Sequence, residues 1–294
     1  VCLYYNFTFI NISNFEYLIL FLSTTIIILT GLIDDYKGIS AYNKFLFQIM
    51  AATILVLGFN DFQLINWPFF YIFESNLLNS CLTIFYIISI LNAINLIDGL
   101  DGLAGGVSII ISIFFIVLSL LSGIQITEMY VLFSLLGSLC AFMIYNKPPA
   151  KTFLGDTGSL FIGWILAIVS LFYAQKTSLS LSILLPIMAL GLPSFDVIFV
   201  MLKRFNNKHD YKLKERLKSI ISPDNNHLHH LTVTAGFSKR RTIIFLYLIT
   251  ILTNFIAIYS YLKGVNLLYG IIIILLLIFG VRFIFLWKIN KGRK

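Results

Sequence analysis

Ile271-Ile272-Ile273-Ile274-Leu275-Leu276-Leu277-Ile278 is a run of eight large aliphatic side chains with no polar residue between them. A transmembrane β-strand alternates lipid-facing with lumen-facing residues, and this run does not alternate. It lies inside the uncharged stretch 264–281. Eight more such stretches precede it, at 17–33, 45–60, 75–97, 102–127, 129–146, 157–175, 177–195 and 242–262. Their lengths lie around the roughly 20 apolar residues that cross a hydrocarbon core as a helix. In lipid every backbone N–H and C=O must be paired within the segment, so each stretch reads as a helix.

Composition agrees. Of the 294 residues 59% are hydrophobic and only 12% charged, against roughly 25% charged in soluble domains; mean hydropathy is +0.93. These values exclude a disordered chain, a small disulfide scaffold and a water-soluble globular domain. The expected fold is an all-α polytopic membrane protein of about nine transmembrane helices, one integral membrane domain over 1–294. The seventh span is expected to run on past Asp196 to Leu202. The stretch 62–73, with Trp67, Phe69, Phe70, Tyr71 and Phe73, is too short to cross and reads as an interfacial aromatic segment. Cys2, Cys81 and Cys140 are far apart and read as small apolar side chains without a metal or redox role.

Nine crossings assign the junctions to two sides. One side receives 34–44, 98–101, 147–156, 203–241 and the C-terminal tail, and with them all Lys and Arg residues of the 21 except Lys176 and Lys263. That asymmetry marks the side as cytoplasmic. The net charge of +8 is therefore a topology signal that suits an anionic lipid surface, and nucleic acid is not an expected partner. The loop 203–241 carries ten Lys/Arg against Asp210, Glu215 and Asp224.

The same side gathers the chemistry. Asp34-Asp35 follow Gly31-Leu32-Ile33 at a helix end, where the dipole disfavours carboxylates; Lys37, a divalent metal or a cationic substrate group would compensate. Asn92, Asn95, Asp98 and Asp101 recur every third residue and so share one helical face. Such a stripe either lines a cavity or joins helices by hydrogen bonds. Asp156, in Phe153-Leu-Gly-Asp156-Thr-Gly-Ser159, stands at a helix start after Pro148-Pro149, as an N-cap or as part of an anion or metal–phosphate site. His227-Leu-His229-His230 has neither Cys nor the i, i+4 spacing of a zinc site. It is either a donor set for phosphate oxygens or part of a solvated basic loop near anionic lipid. Asp196 could face the same cavity or pair with a neighbouring helix.

Four motifs in order and on one side resemble the signature set of the polyprenyl-phosphate N-acetylhexosamine-1-phosphate transferases, a glycosyltransferase-4-like family. These are Asp34-Asp35, Asn92-Ala-Ile-Asn95-Leu-Ile-Asp98-Gly-Leu-Asp101-Gly, the Asp156 loop and the histidine run. The resemblance implies a multi-pass enzyme of the bacterial inner membrane with its active site facing the cytoplasm. It would move a sugar-1-phosphate from a UDP-sugar to undecaprenyl phosphate, release UMP, and depend on Mg²⁺ (or Mn²⁺). It further implies that Asp156 ligates the metal and that Asp34 and Asp35 serve the acceptor phosphate and help the metal. Asn95, Asp98 and Asp101 would sit by the nucleotide, with Asn92 on the same stripe; Lys44 and Asn146 would line the cleft. His227, His229 and His230 would contact the donor's sugar and phosphates. Expected partners are the UDP-sugar, undecaprenyl phosphate, the lipid bilayer and, as an option, a second copy in a homodimer. His-x-His-His followed by Ala235-Gly236-Phe237 is similar to the N-acetylglucosamine-1-phosphate branch. The UDP-MurNAc-pentapeptide branch more often has three consecutive histidines and a nearby acid. The family's earlier basic, His-containing segment has no match here and the chain starts at Val1, so one or two N-terminal helices of the family are expected to be missing. A transporter for an anionic solute or divalent cation is the rival class; it would place polar residues on both sides and through the midplane.

Overall fold

The computed structural model describes residues 13–59, 62, 76–122, 129–176, 184–206, 227–264 and 266–291. The aromatic segment 62–73, apart from Phe62, and residues 207–226 of the basic loop lie outside the described residues. The helices are α1 (Asn14–Lys37), α2 (Ala41–Gly58), α3 (Asn76–Ile97), α4 (Leu103–Ser122), α5 (Met129–Asn146), α6 (Gly155–Lys176), α7 (Leu184–Ala189), α8 (Gly191–Asn206), α9 (Leu228–Thr234), α10 (Lys239–Leu262) and α11 (Leu267–Lys291). There is no strand among the described residues. Among the described residues eight helices, α1 to α6 with α10 and α11, are long and apolar enough to cross a membrane. The chain is a multi-pass all-α membrane protein.

The seventh expected span, 177–195, is not one helix. Its described part is α7, a turn at Leu190 and then α8. Pro193 explains the break: it has no N–H to give the carbonyl of Ala189, and its ring crowds that turn. The backbone bonds on either side survive, from Leu190 N–H to Pro186 C=O at 3.0 Å and from Ser194 N–H to Leu190 C=O at 3.0 Å.

Local chemistry sets the other ends. Ser13 and Glu16 form a reciprocal capping box at the start of α1, and Ser40 and Ser238 cap α2 and α10. Each satisfies an orphan N–H of a first turn. Hydroxyls within the spans turn inward on their own helix, as Ser23 does to Ile19 C=O at 2.7 Å and Thr250 to Leu246 C=O at 2.9 Å. A polar side chain is thereby tolerated where no water is available.

Burial separates centre from periphery. The apolar windows of α6 and α4 are 78% and 72% buried, that of α1 only 22%. α6 lies between α1 and α3, and α4 packs on α5 and α10. Trp164 of α6 is fully buried and its Nε1–H donates to Thr24 of α1 at 2.9 Å. Tyr86 of α3 shares a 2.8 Å hydrogen bond with Ser170 of α6. The phenyl rings of Phe59 and Phe62 stack at a centroid distance of 5.0 Å, and both meet Phe172 edge to face at 5.8 and 4.9 Å. This packing fixes the end of α1, the end of α3 and the start of α6 side by side.

Candidate active site

Three helix termini meet there. Asp35, in the last turn of α1, accepts the backbone N–H groups of Asp156 at 2.8 Å and Thr157 at 3.0 Å, and the Thr157 hydroxyl at 2.5 Å. The N-terminus of α6 is therefore capped by a carboxylate from another helix, which offsets the unfavourable dipole at the end of α1 with the favourable one of α6. Gly155 makes this possible: its φ is +66°, and a Cβ there would fall 2.8–2.9 Å from the Asp35 carboxylate oxygens, so only glycine fits.

Because Asp35 does the capping, the Asp156 side chain is free of that role. It accepts from the Lys44 ammonium at 2.6 Å and from the Asn95 amide, and Asn95 also donates to Ser159 at 2.7 Å. Lys44 lies 2.9 Å from Asp34 as well, and Asp34 accepts the N–H of Ile39 at 2.8 Å. Compensation for the Asp34-Asp35 pair thus comes from Lys44 and the α6 terminus. Lys37, the candidate nearest in sequence, is exposed.

The polar stripe divides. Asn92 and Asn95 are helical, but α3 ends at Ile97, and Asp98 and Asp101 stand in the turn that joins α3 to α4. Gly102, at φ +80°, closes that turn, a conformation natural to glycine. Asn146 braces it, accepting the N–H of Gly102 at 2.8 Å and donating to Thr152 C=O at 2.7 Å. Asp101 accepts the N–H of Ala150 at 3.2 Å. The result is a cavity of about 420 Å³ whose polar lining comprises Asp35, Asn95, Asp98, Asp101, Asn146 and Asp156. Burial first, then the negative charges of Asp156 and Asp101, push the Asp98 carboxyl up to about 7.

Not every expected site residue reaches the cavity wall. Asn92 is taken up by Gln48, to which it donates at 2.7 Å, and by Ile88 C=O at 2.8 Å. It joins α2 to α3 one turn deeper, as the interhelical alternative for the stripe requires. Asp34 and Lys44 stand behind Asp156. His227, His229 and His230 do not line the cavity. His229 is buried behind it with its Nε2 against Gly99, where an added Cβ would lie only 2.4 Å away. Burial and the neighbouring His230 press the His229 imidazole down to about 4, against the opposing pull of Asp196. It is therefore neutral at ordinary pH.

The donor set of the cavity is carboxylate and amide, with no thiolate, and no cation pairs with Asp98 among the described residues. That is the ligand chemistry of a hard divalent cation. No three acidic, His or Cys side chains are already gathered at ligand distance among the described residues; the Lys44 ammonium holds Asp156 instead. Of the residues that shape the site, the sequence marks Thr157 and Ser159 only as members of the Asp156 loop, gives Gln48 no role and leaves Asp196 undecided. The only signal for Gln48 was a polar residue in an otherwise apolar span.

The sequence model described as glycosyl transferase family 4 matches residues 17–174, which hold α2 to α5, most of α1 and α6, and the whole cavity lining. The chain belongs to glycosyl transferase family 4. Among curated relatives, a probable undecaprenyl-phosphate N-acetylglucosaminyl 1-phosphate transferase of Bacillus subtilis (strain 168) is 37% identical over 254 residues, covering 86% of this chain and 68% of that protein. A decaprenyl-phosphate N-acetylglucosaminephosphotransferase of Mycobacterium leprae (strain TN) is 31% identical, covering 74% of this chain and 58% of that one. A phospho-N-acetylmuramoyl-pentapeptide-transferase of Carboxydothermus hydrogenoformans is 30% identical, covering 83% and 76% respectively. The family 4 match thus begins within α1 and ends within α6, while the histidine helix α9 lies beyond it.

Proposed function

We propose that the chain transfers a HexNAc-1-phosphate, GlcNAc-1-phosphate first, from a UDP-sugar to undecaprenyl phosphate with release of UMP, in an early membrane step of cell-envelope polysaccharide synthesis. The observation that carries this is the convergence of Asp35, Asp98, Asp101 and Asp156, from three separate stretches of chain, on one cavity at the end of a membrane helix bundle. A lipid acceptor keeps its tail in the bilayer while its phosphate reaches such a rim. The names of the relatives support the same chemistry, and the His-x-His-His run favours GlcNAc over the muramoyl-pentapeptide donor.

In the reaction an oxygen of the acceptor phosphate attacks the donor's β-phosphorus. The bond from that phosphorus to the bridging oxygen breaks, and UMP departs with the electron pair. The acceptor monoester is already largely ionised near neutral pH, so no carboxylate need act as its base. Asp156 and Asp98 would hold a divalent cation, Mg²⁺ by expectation with Mn²⁺ as substitute, and bound there it would neutralise charge on the donor diphosphate. Lys44, poised beside Asp156, adds a fixed positive charge. Asp35 keeps Asp156 aimed by capping the helix that bears it. Asn146 and Asp101 hold the α3–α4 turn against the loop before α6. The crowding of Lys and Arg at this end supports a cytoplasmic orientation in a bacterial inner membrane.

The test is UMP release by the purified chain in vesicles with undecaprenyl phosphate, Mg²⁺ and each UDP-sugar in turn. UDP-GlcNAc should be consumed. Turnover only with UDP-MurNAc-pentapeptide would reassign the donor, and solute flux without UMP from any donor would favour a transporter.

A further inference from the structure

α8, α9 and α11 meet on a buried carboxylate outside the cavity. Asp196 is 7% exposed, Arg282 6% and His227 4%. One Asp196 oxygen accepts from Arg282 at 2.8 Å and the other faces His227 Nδ1 at 3.0 Å. The N–H of Leu228, first residue of α9, donates to both, at 3.0 and 3.2 Å. A buried ion pair rarely holds helices better than apolar side chains of the same volume, so it calls for another reason.

We infer that Asp196, held by Arg282, is a positioning residue for the transfer reaction, acting through His227 and α9 on the cavity wall. This rests on the transferase reading above. Paired with Arg282, the Asp196 carboxylate is an acceptor only. His227 must therefore carry its proton on Nδ1, which fixes one tautomer and one ring orientation. The same carboxylate anchors the first N–H of α9. One residue on, His229 sets its ring against Gly99, in the turn that presents Asp98 and Asp101 to the cavity. The line Arg282–Asp196–α9–Gly99 thus determines where those carboxylates stand. None of its first three members touches the cavity. The Nε2 atoms of His227 and His229 are buried without a hydrogen-bond partner among the described residues, so the His227 ring is oriented from the Asp196 side.

Asp196→Asn tests this without removing volume. The amide oxygen still accepts from Arg282, but the amide nitrogen is a donor, so His227 must shift its proton to Nε2. Expected are a folded protein of parental helical content whose thermal midpoint falls because Arg282 loses its counter-charge, ¹⁵N-histidine spectra showing the exchanged tautomer, and kcat for UMP release lower by about 10–100-fold, with KM for undecaprenyl phosphate unchanged. The double variant Asp196→Leu/Arg282→Met removes both charges. It should recover the thermal midpoint that Arg282→Met alone loses, yet stay at least about tenfold below the parent in kcat. Recovery of kcat along with stability, or parental kcat in Asp196→Asn, would overturn the inference by showing the pair to be structural. A parent chain that releases no UMP from any donor would instead defeat the transferase reading, and this inference with it.

Discussion

Gly99→Ala puts the smallest possible change between the histidine helix and the cavity. The added Cβ would lie 2.4 Å from His229 Nε2 and 3.2 Å from two ring carbons. Ordinary contact needs about 3.5 Å, so about 1 Å must be found. Gly99 has no positive φ, so the effect is steric and carries no backbone strain. The His229 ring cannot swing away: it is 2% exposed and stands 4.1 Å from the ring of His230 and 6.0 Å from that of His227. The turn holding Asp98 and Asp101 must give way instead. Overpacking of this kind costs about 1–3 kcal/mol, and a displacement of about 1 Å at reacting groups costs about 10²-fold in rate. Thermal unfolding in detergent and steady-state UMP release measure the two effects. In a His229→Ala background the methyl meets no ring, so the stability cost should vanish and the cycle should return a coupling of about 1–3 kcal/mol. Equal costs in both backgrounds, or a Gly99→Ala protein indistinguishable from its parent, would refute the contact and the argument built on it.

Asp156→Asn should lower UMP release by several orders of magnitude with the helical content retained; a loss smaller than about tenfold, about 1.4 kcal/mol in barrier, would contradict its proposed role as a metal ligand. Asp35→Asn leaves one acceptor for the three donors at the start of α6, so the thermal midpoint should fall by the equivalent of about 1–2 kcal/mol and activity should fall with it; full stability would show that the cross-helix cap contributes nothing. Asp98 titrates at about 7 in the folded chain and near 4 when unfolded, so its neutral form stabilises the fold below about pH 4 and that contribution is lost as pH rises through about 7. Thermal midpoints in chelator from about pH 5 to about pH 8 should decline in the parent and decline less in Asp98→Asn; parallel slopes would argue against the raised Asp98 carboxyl.

The spans were legible because a bilayer leaves one solution for an uncharged run of about 20 residues, and composition alone reveals such runs. The seventh span misled for a local reason: hydropathy does not register that Pro193 withholds one N–H, and the helix breaks at Leu190. The site was legible as a set of residues, because carboxylates at helix ends near a membrane face have few structural uses. Their division of labour was not. Asp156 reads as an N-cap in sequence, and nothing adjacent to it says that Asp35, 121 positions earlier, takes that role and leaves Asp156 to Lys44 and Asn95. Asn92 and Asn95 are indistinguishable as members of one stripe, yet Gln48 claims the first and Asp156 the second. Arg282 hid in plain count: as one more cation near the C-terminus it strengthens the topology signal, while in the fold it is buried against Asp196. Which acid a helix end presents to a ligand is settled by which neighbouring element satisfies its backbone, and that is decided by packing between helices distant in sequence. The capping partner is therefore the place where substitutions that leave every motif intact can still disable the cavity, and Asp35→Asn against Asp156→Asn separates the two contributions.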